Sequence, residues 1–298
     1  MATNLRFAAN GNLARPALYL TKDKAGREHP VMKRRSALAF LFALSWRSLF
    51  AADEPAPAGA PTTPAAAVSV AAAANLVYAL DALNAAFKQT APDVTVTSAT
   101  GASGSLVAQI RNGAPYDVFL SADLDFPQAL IKSGQADAKS LATFAVGRLV
   151  LWSTRPGIET ASVAGVVNNP AVRRLAIANV DSAPYGRAAK QALEKLGIWA
   201  VAQPKLVVGE NITQTAQFVE TGNADAGFVA LSAVISPQLK GKGRWLEVPA
   251  DLYAPLAQGA VLTTRGAANP AAARYLAFLG SPAARKILED FGYTVPEK

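Results

Sequence analysis

From residue 68 onward, apolar positions fall into short strand-like runs that alternate with helix-like spacing. "VSV" (68–70) runs into a segment with Leu76, Leu80, Leu83 and Phe87 at intervals of four, three and four, which is one face of a helix. "DVTVTSA" (93–99) reads as a strand, and the Gly/Ser loop "TGASGS" (100–105) opens a helix through Leu106 and Ile110. "YDVFLSA" (116–122) reads as a buried strand with a helix following from about Asp125. "GRLVLWST" (147–154) and "RRLAIANV" (173–180) are further strands; "DSAPYGRAAKQALEKLG" is a helix with Pro184 near its first turn and Gly197 as its stop. "GENITQTAQFVETG" (209–222) has the same design, with Ile212, Ala216 and Val219 on one face and Gly222 at the end. "AGFVAL" (226–231) and "GAVLTT" (259–264) read as strands, and two short helices close the chain around Tyr275 and Ile287. Such alternation predicts an α/β protein with parallel sheets, and no repeat or coiled-coil period interrupts it.

The overall charge of +8 would suggest a nucleic-acid or membrane-surface partner, but it is unevenly placed. Residues 1–51 hold nine of the 29 basic and two of the 21 acidic side chains, so the rest is left with a net charge of +1. Lys33-Arg34-Arg35, the apolar "SALAFLFALSW" and the small-residue zone "SLFAAD" together read as a signal peptide over about 32–51. Its apolar stretch is too short to span a bilayer. Residues 1–52 are therefore expected to be a presequence, of which 1–31 carry no periodic pattern and read as lying upstream of the natural start. Residues 53–67 form a Pro/Ala-rich linker. Removing the presequence removes His29, the single histidine, and both methionines, and the chain has no cysteine. Ser-His and Cys-His catalysis, histidine zinc sites and thiol redox chemistry are excluded by inventory.

Neutral polar residues recur where strands give way to helices: Asn75, Ser103 with Ser105, Ser182 beside Tyr185, and Asn211 with Thr213. Any one alone reads as an N-cap, which contributes about 1 kcal/mol. Their recurrence matters because ligands of open α/β sheets bind at the carboxyl ends of strands, where helix N-termini offer unpaired N–H groups and about half a positive charge. Donors without Lys or Arg suit a small anion that carries no proton. Hydrogen bonds to a charged group contribute about 1.5–3 kcal/mol each. Five to seven of them gross about 8–20 kcal/mol, enough for roughly micromolar to nanomolar binding after ordering costs.

Several blocks resemble the periplasmic molybdate-binding proteins of ABC importers: "AAAANL" (71–76), "GASGSLVAQIRNGAPYDVFLSAD" (101–123), "APYGRAAKQALEKLG" (183–197), "GENITQTAQFVETGNADAGFVALS" (209–232) and "AFLGSPAARKILEDFGY" (277–293). The resemblance covers about 68–296. It implies a two-lobed type II periplasmic-binding-protein fold, each lobe a mainly parallel sheet flanked by helices, joined by two hinge crossings. Lobe 1 would be 68–148 plus 250–298 and lobe 2 149–249. It further implies a periplasmic, monomeric, non-enzymatic receptor that delivers molybdate, and tungstate, to a permease and ATPase complex. No cofactor, nucleic-acid contact or membrane insertion of the mature chain is implied. Molybdenum would be held only as its oxyanion, without direct side-chain coordination. By position, the resemblance implies ligand contacts at Asn75, Ser103, Tyr185 and, through its backbone N–H, Ile212. Ala74, Ser105 and Asn211 are further candidates. Ala74 replaces a threonine hydroxyl available to one branch of the family, and Ala230 replaces a tyrosine of the other.

Rival readings are weaker on the residues. "GASGS" is not G-x-S-x-G and has no mature histidine beside it; Lys190, in a helix pattern, is a poor partner for a Ser-Lys enzyme. "GKGRW" (241–245) lacks the P-loop spacing and reads as a surface turn. An amino-acid binder needs a converging Arg and carboxylate, and Arg187 is expected on an exposed face. Ferric sites want phenolates and carboxylates. Hydrogen phosphate needs an acceptor, whereas these seams offer mainly donors. Sulfate satisfies the same donors and differs from molybdate chiefly in size.

Overall fold

The computed structural model describes residues 20–22, 28–30 and 66–297. The signal peptide predicted over 32–51 lies outside the described residues, as does the linker up to residue 65. Residues 20–22 and 28–30 pair as two short antiparallel strands. Linker residues 66 and 67 prove to be strand: β1 (Ala66–Ala73) pairs along its whole length with β2 (Val94–Gly101), from Ala66 opposite Val94 to Ala73 opposite Gly101.

The first sheet also contains β3 (Val118–Ser121), β4 (Ala142–Gly147) and a strand from near the C-terminus, β10 (Leu256–Leu262). Its order is β2-β1-β3-β10-β4. The second sheet contains β5 (Leu149–Ser153), β6 (Leu175–Ala178), β7 (Leu206–Gly209), β8 (Ala226–Ala230) and β9 (Arg244–Glu247), in the order β9-β5-β8-β6-β7. Both sheets are mixed. In the first, β10 alone runs against its neighbours β3 and β4; in the second, β5 alone runs against β8 and β9. Four strands of five therefore point one way in each sheet. The chain passes between sheets at Arg148 and again through 248–255.

Helices α1 (Val77–Thr90), α2 (Ser103–Arg111) and α3 (Asp125–Lys132) follow β1, β2 and β3. Leu80, Leu83 and Phe87 bury the predicted face of α1, and Leu76 is buried in the single 3₁₀ turn, residues 74–76, that precedes it. Phe87 meets Tyr275 edge-on at 5.0 Å. Tyr275 lies on the first C-terminal helix, 270–279. In the second half, α4 (Val163–Asn168) precedes β6, α5 (Pro184–Lys195) and the short α6 (Trp199–Ala202) follow it, and α7 (Ile212–Glu220) follows β7. One apolar cluster runs from Leu151, Leu175 and Phe228 of the second sheet to Ala73 of the first and Ala74, Ala102 and Ala122 just beyond its strand ends. The two halves are thus packed against each other.

Candidate functional site

Four helix starts converge where the halves meet. The strands β1, β2, β6 and β7 each end there, followed by the turn 74–76, α2, α5 and α7. They surround a small cavity of about 10 Å³ lined by Ala73 to Asn75, Gly101 to Ser103, Ala122, Ala183 to Tyr185, Asn211 and Ile212. No lining residue carries a charge. The small side chains of Ala73 and Ala74, at most 4 % exposed, let the main chain itself form the wall.

Each helix start contributes N–H groups that no preceding turn can satisfy. At α7, Asn211 takes up part of this demand: its Oδ1 accepts from Thr213 N–H and Gln214 N–H, each at 3.0 Å. Asn211 is thus a cap, and the N–H of Ile212, one residue into the helix, is left for a ligand. Neither Ala102 nor Ala183 caps its helix with a side chain, and the N–H groups of Ser103 and Tyr185 are left open. Ser103 Oγ accepts from Ala122 N–H at 3.0 Å. Because that bond uses a lone pair, the hydroxyl proton remains free to be donated.

Asn75, at which the resemblance implies a ligand contact, has both amide hydrogens engaged within the protein. Its Nδ2 donates to Gln258 Oε1 at 2.7 Å and to Tyr293 Oη at 2.9 Å. The orientation is imposed from outside: Gln258 Nε2 donates to the carbonyls of Leu256 at 2.8 Å and Ala122 at 3.2 Å, which leaves only Oε1 to face Asn75. Tyr293 Oη and Ser232 Oγ both donate to the Asn75 carbonyl. What residue 75 keeps for a ligand is its main-chain N–H. Its Oδ1 is a buried acceptor with no partner among the described residues. A fully deprotonated oxyanion brings no proton to it; a water molecule would.

Tyr185 is buried within the packed halves. Burial first, then the neighbouring phenols of Tyr293 and Tyr253, pushes its hydroxyl well above the usual value, so it stays protonated. Ser105, by contrast, is exposed on α2 and does not line the cavity. The Gln258, Ser232 and Tyr293 partners of Asn75 escape sequence reasoning, although one signal existed. Gln258 is a lone amide inside the apolar run "LAQGAV", and it is fully buried.

Several bonds close the cleft over the cavity. Gly104 N–H donates to Ser182 C=O at 2.9 Å, and Thr213 Oγ1 donates to Ala74 C=O at 2.9 Å. Arg187 is not on a free face: it reaches from α5 to Asp125 and Asp123 on the other side. Among the described residues no cluster of three or more His, Cys, Asp or Glu could hold a bare metal ion. The chemistry on offer is hydrogen-bond donation to an anion within an uncharged wall.

Comparison with known proteins agrees with this geometry. Residues 68–294 match the family model described as bacterial extracellular solute-binding protein. The chain belongs to this family. Within the solute-binding family it is 44 % identical over 230 residues to the molybdate-binding protein ModA of Azotobacter vinelandii, spanning 77 % of this chain and 90 % of that protein. Its identity to ModA of Rhodobacter capsulatus is also 44 %, over 232 residues, with the same coverage of 77 % and 90 %. Among solved structures, the periplasmic molybdate-binding protein of A. vinelandii superimposes with a TM-score of 0.72 at 36 % identity, covering 77 % of this chain and all of that one. The sulfate-binding protein SubI of Mycobacterium tuberculosis has a TM-score of 0.64 at 13 % identity, covering 78 % of this chain and 88 % of that one, a likeness of fold alone. The two-lobed α/β architecture of periplasmic binding proteins is thus the fold of this chain.

Proposed function

We propose that this chain is the substrate-binding component of a molybdate ABC importer, taking tungstate as well. The observation that carries the reading is the uncharged cavity at four converging helix starts. Its donors are the N–H groups of Asn75, Ser103, Tyr185 and Ile212 and the free proton of Ser103. Such a set stabilises a dianion through about half a positive charge per helix end and asks for no counter-ion. The 44 % identical relatives, whose names specify molybdate, support the same ligand. The protein performs no chemistry on the anion; it captures it between lobes 68–148 plus 250–298 and 149–249 and hands it to a membrane permease with its ATPase. The sequence of the first 52 residues supports export to the periplasm, and a receptor that encloses one anion works as a monomer.

Isothermal titration with molybdate, tungstate, sulfate and phosphate tests the proposal. Submicromolar binding of the first two with at least a hundredfold weaker sulfate is expected. A preference for sulfate, or no heat from molybdate, would overturn it.

A further inference from the structure

Arg187 stands at the mouth of the cleft, two residues beyond Tyr185 on α5. Its Nη1 lies 3.0 Å from Asp125 Oδ2 and 3.4 Å from Asp123 Oδ2. Its guanidinium also sits 5.6 Å from the centroid of the Phe126 ring. All three partners belong to the start of α3, on the opposite side of the cleft. Around them runs a groove of about 410 Å³, bordered by Asp123, Asp125, Arg187 and Gln191.

Asp123 is the demanding member of this group, being only 8 % exposed. Its Oδ1 accepts from Ser121 Oγ and Phe126 N–H, both at 3.2 Å, which ties the carboxylate to the first turn of α3. A carboxylate withdrawn from water is costly to keep ionised unless a counter-charge comes with it. Arg187 belongs to the opposite half, so the counter-charge arrives only when the halves meet. Neither residue lines the anion cavity. They bear on closure, and through closure on the anion.

We propose that Arg187 is an affinity-determining clasp, supplying the counter-charge that lets the Asp123 carboxylate be enclosed when the lobes shut over the ligand. The proposal rests on the reading of the cleft as an anion trap. The charged groups that bear on Asp123 are Arg187 from α5 and Asp125 from α3. Burial raises the Asp123 carboxyl; the Phe126 N–H and then Arg187 pull it down, while Asp125 pushes it up, and the net effect is a rise. A carboxyl raised by enclosure holds its proton more readily in the closed state, so lower pH favours closure. Arg187 matters most at neutral pH, where Asp123 is charged.

The test is a double-mutant cycle of Arg187→Ala and Asp123→Asn in the full chain, titrated with molybdate at about pH 7.5 and 5.5. Asparagine keeps an acceptor for the Phe126 N–H while removing the charge. Arg187→Ala is expected to raise Kd about tenfold at the higher pH, intermediate between exposed and buried ion pairs, mainly through faster dissociation. The deficit should shrink at the lower pH, and adding Asp123→Asn should restore Kd to within about threefold of the parent, which a merely structural role of Arg187 would not do. Small-angle scattering of the same four proteins, with and without anion, reads closure directly. A Kd for Arg187→Ala within twofold of the parent, no recovery in the double variant, or one radius of gyration across the set under both conditions overturns the clasp. Absence of molybdate heat in the parent, with closure still dependent on residue 187, overturns the proposed ligand instead.

Discussion

Ser103 shows how one side chain serves fold and ligand at once. Its oxygen satisfies the Ala122 N–H and its proton is left over. Ser103→Ala should weaken molybdate binding by about 1–3 kcal/mol, measured by titration calorimetry, and lower stability by about 1 kcal/mol because the Ala122 N–H loses its acceptor. Unchanged affinity would reduce the residue to a strut between β3 and α2. Ser103, Asn211 and Ile212 are legible in sequence because helix starts are local events, decided within three or four positions. The setting of Asn75 is not local. The residues that orient its amide lie 183 and 218 positions away, and no neighbouring residue announces them. Ser105 shares the Gly/Ser loop with Ser103, yet two further positions of helical rotation turn it to solvent.

At the scale of elements, α7 is the start whose geometry rests most on one cap. Replacing Asn211 by Ala strips the acceptor from two N–H groups and should cost about 1 kcal/mol of stability. Hydrogen exchange at Thr213 and Gln214 should quicken, and affinity should fall with it, since the Ile212 N–H loses its fixed direction. Equal exchange rates in the variant would show that the helix start is held by packing instead. The strands that sequence periodicity misses share a position. The strands 142–147, 206–209 and 244–247 are all at sheet edges. The strands 142–147 and 244–247 are partly exposed, and "RWLE" lacks the unbroken apolar run that marks the central strands 118–121 and 226–230, whereas "LVVG" at 206–209 is apolar but only three residues long before Gly209. The turn predicted at "GKGRW" gives way to strand from Arg244 for this reason, with Gly241 and Gly243 at positive φ just before it.

For the molecule as a whole, alternation of strands and helices foretells the predominant strand direction but not its exceptions. The single reversed strand of each sheet comes directly after a passage between sheets, and nothing in "LVLWS" or "LAQGAVL" marks its direction. The Tyr293 phenol beneath the cleft couples the C-terminal end to both halves, and burial pushes it up to about 12. The neutral phenol is the form the fold favours, so its contribution is intact below the ordinary value near 10 and is lost as pH rises from there toward about 12. Urea midpoints should fall across that window, and Tyr293→Phe should flatten part of the fall; a parallel decline in both proteins would assign the effect to the other buried tyrosines.

The bond from Gly104 N–H to Ser182 C=O joins main chain to main chain, so no side-chain deletion can remove it. It is vulnerable to addition instead. A methyl group on residue 104 would stand 2.9 Å from the Phe126 ring and 3.0 Å from Ser182 Cα. Gly104→Ala should therefore act as a doorstop, leaving each half folded while wedging the trap ajar, with a larger scattering radius and weaker anion retention than the parent. Position 104 is where a single carbon atom would turn a receptor that holds its cargo into one that only samples it.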